Sequence, residues 1–339
     1  MPPSKAASAA LTLATAALVL TACSGQSSDA DVNSPVKIGI TVSNATEPFV
    51  VPWLVGQDQG FFKGRGVEIS QIVPGKGGST TVRNMRSGDL PIADVGLTAV
   101  ADSAKTGSAV TVVGGATQSV YGIDFYALAK NTSIRTINDI KTWGYSSPQS
   151  ITQALTYLLP EVAGVHTRVN RKETGGIGEG IALLEAGDVD ATVVPPSVIT
   201  KNAAPYRKIV SSADYLKAFQ QSVIATTPDY AKSHPNVVKA VVAGYNEAVG
   251  WIARNPEQAG KLYADYTDID PDAATKIVNE AAAAGNWGAG FNAAAIETAV
   301  KAMKASGFTG NEADVCAVFD DSFLPAGVSS TLPAFCGGA

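Results

Sequence analysis

Few side chains in this chain could do chemistry on a bound molecule. Its only histidines, His166 and His234, stand alone with no ligand-like spacing around them, so neither a metal cluster nor a nucleophile–base triad can be assembled. The run Pro74-Gly75-Lys76-Gly77-Gly78-Ser79 has the glycines of a phosphate loop but not the G-x-x-x-x-G-K-[ST] spacing, so no nucleotide site is expected. That leaves three cysteines, Cys23, Cys316 and Cys336. No catalytic residue, metal or cofactor is assigned.

Each cysteine has a reading from its surroundings. After Lys5 comes the weakly polar run Ala9 to Leu20, long enough for the core of an export signal and short of the roughly 20 residues that span a bilayer. It ends in Leu20-Thr21-Ala22-Cys23, which looks like a bacterial lipobox, so residues 1–22 are expected to be a signal peptide and Cys23 the lipidated mature N-terminus. The polar, aperiodic stretch Ser24 to Ser34 reads as a flexible tether, placed over 23–35. In an oxidising compartment Cys316 and Cys336 most simply form one disulfide, whose loop of about 20 residues contributes on the order of 3 kcal/mol in the chain-entropy model.

The bulk numbers set the frame for these elements. At 339 residues the chain exceeds one typical core, and 45% apolar against 16% charged residues excludes a disordered chain. A net charge of −5 with no Lys/Arg-rich run argues against nucleic acid as a partner.

Short apolar runs alternate with amphipathic segments, the pattern of an α/β protein with parallel strands. Strands are predicted over 36–42, 67–73, 92–95 and 110–114, with helices over 49–63, closed by Gly64 and Gly66, and over 79–87. A second set begins after Tyr121, with strands over 124–129, 142–146 and 189–194 and helices over 148–162 and 178–185. Beyond the strand at 222–226 the chain turns helical. The clearest helix, 235–254, carries Val237, Val238, Val241, Val242, Tyr245, Ala248, Val249 and Ile252 on one face, and another spans 292–306. Two βα sets imply two lobes.

The order of motifs resembles the periplasmic-type substrate-binding proteins for nitrate, sulfonates, taurine and thiamine-pyrimidine precursors. The residues that carry it are Gly60-Phe61-Phe62-Lys63 with Val67-Glu68, Gly77-Gly78-Ser79-Thr80, Ser87-Gly88-Asp89-Leu90, Ile92-Ala93 and Gly96. In the second half they are Asn138-Asp139-Ile140-Lys141 and Leu183 to Ala191. The resemblance covers roughly Val36 to Gly327. It implies a two-lobed, type II-like periplasmic-binding-protein fold with two hinge crossovers, near Ser119 to Ile123 and Gln221 to Ala225. Lobe I would take 36–120 and 221–339, the latter with a C-terminal tail, and lobe II 121–220. The same fold serves pyrimidine-precursor synthases, but their cysteine-rich motif is absent here.

In open α/β sheets ligands sit beyond the carboxyl ends of strands, where helix N-termini present unpaired N–H groups that suit an anion. The lobe I candidates are Ser43, Asn44 and Thr46 after the first strand, Gly78, Ser79 and Thr80 at a helix start, and Leu97 and Thr98 after a later strand. Lobe II offers Ser146, Gln149, Ser150 and Pro195. Helix capping is the simpler role for the hydroxyls, and the two roles are compatible. Tyr121, beside the hinge, either stacks on a ligand or packs the hinge. Glu47 either holds an ammonium group or is an exposed loop carboxylate, the latter preferred. For Trp287 and Phe319 core packing is preferred. The expected solute is a small organic anion, a sulfonate such as taurine or an aromatic acid, with a neutral pyrimidine as the alternative. The expected partners are an ABC permease with its ATPase, or else a sensor, and the membrane through the lipid anchor, the protein itself being a monomer. Mass spectrometry of the membrane fraction should find Cys23 carrying a diacylglycerol, and Cys23→Ala should release the protein or leave an uncleaved precursor.

Overall fold

A strand covered on both faces reads as an unbroken apolar run. Val36–Val42 (β1), buried over its last five residues, is such a strand and lies inside a five-stranded sheet. The computed structural model describes residues 31–43, 47–75, 77–107, 109–308, 310 and 312–337. The expected signal peptide, Cys23, residues 23–30 of the tether, and the site candidates Asn44 and Thr46 lie outside the described residues.

After a short 3-10 turn, α1 (Val51–Asp58) ends before Gly60, whose φ of 70° breaks the helix. It is therefore shorter than the expected 49–63, because Gly60 stops it before Gly64 is reached. Then follow β2 (Val67–Pro74), α2 (Gly78–Arg86), β3 (Ile92–Gly96), α3 (Leu97–Lys105) and β4 (Thr111–Gly115). A second group comprises β5 (Phe125–Leu128), β6 (Thr142–Tyr145), α4 (Ile151–Val162), β7 (Asn170–Glu173), α5 (Ile177–Ala186), β8 (Thr192–Val193), α6 (Pro196–Lys201) and β9 (Tyr206–Val210). β8 is shorter than the expected 189–194. At its start the Asp190 carboxylate accepts the Lys141 and Thr142 N–H groups, and at its end Pro195-Pro196 cannot continue a ladder. The chain returns as β10 (Ser222–Thr226) and ends in α7 (Pro228–Ser233), α8 (Pro235–Arg254), α9 (Pro256–Thr267), α10 (Pro271–Ala283), α11 (Ala293–Ala305) and α12 (Glu312–Cys316). Among the described residues no helix is long and apolar enough to cross a membrane.

The first sheet runs β2-β1-β3-β10-β4, with β1 parallel to both neighbours and β10 antiparallel to both of its own. In the second group β8-β5-β9 and β6-β7 are joined by a bridge between Trp143 and Ala191, giving the order β7-β6-β8-β5-β9. The two halves thus repeat one plan, in which the strand next to the outermost, β10 or β5, runs against its neighbours. Because Ser222–Thr226 is bonded on both edges inside the first sheet, the second crossing runs over residues 211–221, upstream of the expected 221–225. It lies along the first crossing. Phe219 N donates to Gln118 O at 3.2 Å and Gln221 N to Thr117 O at 2.9 Å.

Among the described residues the first lobe's sheet buries a carboxyl in its core. Asp94 on β3 is fully buried and accepts the Trp53 indole N–H at 2.8 Å, which ties α1 to the sheet, while Trp53 packs on Phe62 and Tyr245. Burial pushes the Asp94 carboxyl up to about 6. At the other end of the chain a Cys316–Cys336 disulfide, with Cα atoms 5.3 Å apart, fixes the tail beside β4. There Val112 N donates to Val318 O at 2.7 Å and Asp320 N to Val112 O at 2.9 Å. Trp287 is buried, and Phe319 packs edge-on against Phe291, so both belong to the core.

Because the Asp94 pKa is raised in the folded state, that state holds a proton the unfolded chain has lost between about pH 4 and about 6, and ionised Asp94 is a fixed penalty above that window. Denaturant unfolding should show the wild type gaining on the order of 2–3 kcal/mol relative to Asp94→Asn as pH falls through this range. Parallel pH profiles for the two proteins would remove Asp94 as the titrating group.

Candidate functional site

The carboxyl ends of β1, β2 and β3 face those of β6 and β8 across a cavity of about 420 Å³, a volume suited to a small organic molecule. Five helix N-termini reach its wall. From the first lobe come Gly77 and Gly78 at α2, and Gly96 and Thr98 at α3; from the second come Ser150 to Thr152 at α4, Gly176 to Gly178 at α5, and Pro195 before α6. No side chain caps α2, α3 or α5, so their first N–H groups are left to a ligand or water. α4 is different. Ser150 Oγ accepts from Gln153 N at 3.1 Å, and the Ser146, Thr152 and Ser150 hydroxyls form a chain with 2.9 Å links.

Glycine lets the lobes approach this closely. A Cβ on Gly77, whose φ is 119°, would sit 2.8 Å from Ser147 Oγ of the other lobe, and one on Gly96 would sit 3.3 Å from Ile151 Cδ1. The lobes also touch on both flanks. Lys201 Nζ on α6 donates to Thr267 O at 2.9 Å, and Lys301 on α11 faces Glu161 on α4 at 3.7 Å. The remaining wall is apolar, with Phe49, Ile123, Ile151, Ile177, Ile181 and Val193.

Two carboxyls and no Lys, Arg or His line the cavity among the described residues. Glu179, in the first turn of α5, lies over Gly176 and so offsets the positive end of its own helix. Glu47 is buried at 8% exposure, and desolvation pushes its carboxyl up to about 8. The preferred reading of Glu47 as an exposed loop carboxylate is therefore corrected. It precedes the buried turn Pro48–Val50, which draws it inward. Thr98 Oγ1 is buried in the wall without a hydrogen-bond partner among the described residues.

Of the sequence candidates, Ser43, Gly78, Thr98, Ser146, Ser150 and Pro195 line the cavity together. Ser79 is exposed and Thr80 Oγ1 accepts from Arg83 at 3.1 Å, so both face away along α2. Leu97 is wholly buried in the lobe core, and Gln149 is exposed, its N–H donating to Gln153 Oε1 at 2.7 Å. Tyr121 donates to Glu280 Oε2 at 3.0 Å and borders a separate cavity of about 550 Å³ with Asp124, Lys208 and Lys276. Sequence reading missed Gly176 to Glu179. Its signal was a glycine pair opening a helix, Gly175-Gly176 before α5, matching Gly77-Gly78 before α2. No three His, Cys, Asp or Glu side chains gather as a metal site among the described residues.

Two sheets of this strand order, joined by paired crossings with the cavity between them, define the type II-like periplasmic-binding-protein fold. Residues 47–259 match the NMT1/THI5-like family, and the chain belongs to it. Among solved structures it is similar to the alkanesulfonate-binding protein SsuA from Xanthomonas axonopodis pv. citri, at 16% identity and TM-score 0.68, over 85% of this chain and 99% of that one. It is similar to the periplasmic nitrate-binding protein NrtA from Synechocystis, at 12% identity and TM-score 0.58, over 71% and 68%. DSZB in complex with biphenyl-2-sulfinic acid matches at 15% identity and TM-score 0.58, over 85% and 98%. At such identities these likenesses speak for the fold. No curated protein matches the chain.

The buried, unpartnered Thr98 hydroxyl costs folding free energy that a methyl group would not. Thr98→Val should therefore melt at the same temperature as the wild type or higher. A clear drop in melting temperature would show that the hydroxyl serves the fold.

Proposed function

We propose that the chain is an extracytoplasmic solute-binding lipoprotein, anchored through Cys23 to the outer face of a bacterial membrane, that delivers a small organic molecule to an ABC permease and its ATPase. Lobe I would take 36–120 and 221–339, and lobe II 121–220. The observation that carries this reading is the cavity itself, walled by uncapped helix N-termini from both lobes and bordered by the paired crossings. Neither lobe alone supplies enough donors to replace a solute's hydration, so binding and closure go together.

The wall also narrows the solute. N-termini of α2 and α3 favour an acceptor or anionic group, whereas Glu47 favours a donor or cationic one. A plain anion, the leading expectation from sequence, satisfies only the first. A molecule with both ends and an apolar body fits better. An aminoalkanesulfonate such as taurine meets the polar requirement, and the neutral aminopyrimidine alternative gains weight because its amino group can donate to a carboxyl. Transport rather than catalysis is favoured by a wall that, among the described residues, carries no Cys, His or Lys.

Calorimetry with matched compounds tests this. An aminoalkanesulfonate or aminopyrimidine should bind more tightly than the analogue lacking the amine, by about ten- to a hundredfold, which is one charge-assisted hydrogen bond. Small-angle scattering should show compaction with the better binder. Tighter binding of the plain sulfonate or carboxylate would overturn the two-ended solute.

A further inference from the structure

Glu47 is reached from lobe I, yet its carboxyl is shut in by the hinge and by lobe II. A Cβ on hinge residue Gly122 would lie 3.5 Å from Glu47 Oε2 and 3.6 Å from the Pro196 ring atoms, so the carboxyl sits directly behind the junction of the first crossing with α6. From α9, Tyr263 is close enough to feel its charge and is bonded to Ser197 of α6. Glu179 faces the same cavity from α5. Beyond Gly122 lie the hinge groups Tyr121 and Asp124, Lys208 from β9, and Lys276 and Glu280 from α10. Both lysines are already engaged, Lys208 with Asp124 at 2.5 Å and Lys276 with Glu280 at 3.8 Å. Among the described residues nothing basic is therefore available to an ionised Glu47 when the lobes are together.

An ionised carboxyl enclosed without a cation or full hydrogen bonding is strongly disfavoured, and the usual escape is to take up a proton. Opening the lobes would move Pro196 and α6 away and bring water to the group. We propose that Glu47 couples closure of the cleft to charge: the lobes close either over a protonated Glu47 or over a solute that presents a positive group to it. This rests on the reading of the interlobe cavity as the solute site, and it makes Glu47 the residue that sorts solutes by charge.

The direction of the pH dependence follows. In the closed form the group titrates near 8, against an ordinary value of 4.5 when solvated. Between those values the closed form holds a proton that the open form has released, so closure without a cation becomes about tenfold less favourable per pH unit as pH rises. Below the window both forms are protonated, and above it both are ionised, so the dependence flattens at each end. A cationic solute removes this dependence, because ionised Glu47 then pairs with it, and its binding to the closed, protonated form releases the proton.

The test needs no identified solute. Small-angle scattering of the free protein at about pH 5.5 and about pH 9 should show expansion at the higher pH in the wild type and none in Glu47→Gln, which mimics the protonated acid. Difference infrared spectroscopy at pH 7 should show a protonated-carboxyl band in the wild type, assigned by its loss in the variant or, if the variant does not fold, by a titration midpoint near 8 that persists in Asp94→Asn, the Asp94 carboxyl itself titrating near 6. A wild-type radius that is independent of pH, an equal change in both proteins, or no high-midpoint carboxyl band would each overturn the coupling. A solute panel without binders would bear on the function alone and leave these readouts in place. Conversely, amine-bearing solutes that bind without proton release at about pH 5.5, where the free protein is closed over a protonated Glu47, measured calorimetrically in buffers of different ionisation enthalpy, would overturn the coupling while the binding function stood.

Discussion

The constraint on which the rest depends is the seating of β10 between β3 and β4. A sheet begun by residues 36–115 lacks an internal strand until residues 222–226 arrive, bonded on both edges. The chain must therefore leave, build the second lobe and come back. That topology forces two crossings to run together, and it sets the carboxyl ends of both groups of parallel strands against each other. The cleft and the paired crossings beside it are consequences of strand order.

Strand direction then dictates the electrostatics. Helices that follow parallel strands start at the carboxyl edge, so their positive ends collect in the cleft. Glycine at the N-caps of α2, α3 and α5 keeps those ends bare and lets the lobes meet. Against this field the chain sets two carboxyls, one lying over its own helix start and the other buried beside the hinge. The wall thus sets bare donors on one side against an acid buried beside the hinge on the other.

The fold was largely legible because its strands are apolar runs and its main helices carry clean stripes. β1 appears at its expected bounds, and α8 with its valine face does too. What was not legible was local or long-range. β7 (NRKE) and β9 (YRKIV) are polar strands whose existence depends on partners distant in sequence, and α3 begins without a capping side chain. The site divided in the same way. Residues directly after strands, such as Ser43 and Thr98, could be placed from pattern alone. Which face of α2 carries Ser79 and Thr80, and whether Glu47 points to water or inward, depends on how a turn packs, and a one-dimensional pattern holds no such information.

The C-terminal tail has a consequence of another kind. β4 would be an outermost strand with a free row of N–H and C=O groups, a template that a passing chain could extend. Residues 318–320 take up that row on one stretch, Ala289 accepts from Gly115 further along, and the disulfide holds the tail at the spot. The seal is made by residues that lie far along the chain from β4 and is held in place by the disulfide. Without that distant segment β4 would present an unguarded edge, so the same residues that close the lobe also guard it against pairing with a neighbour.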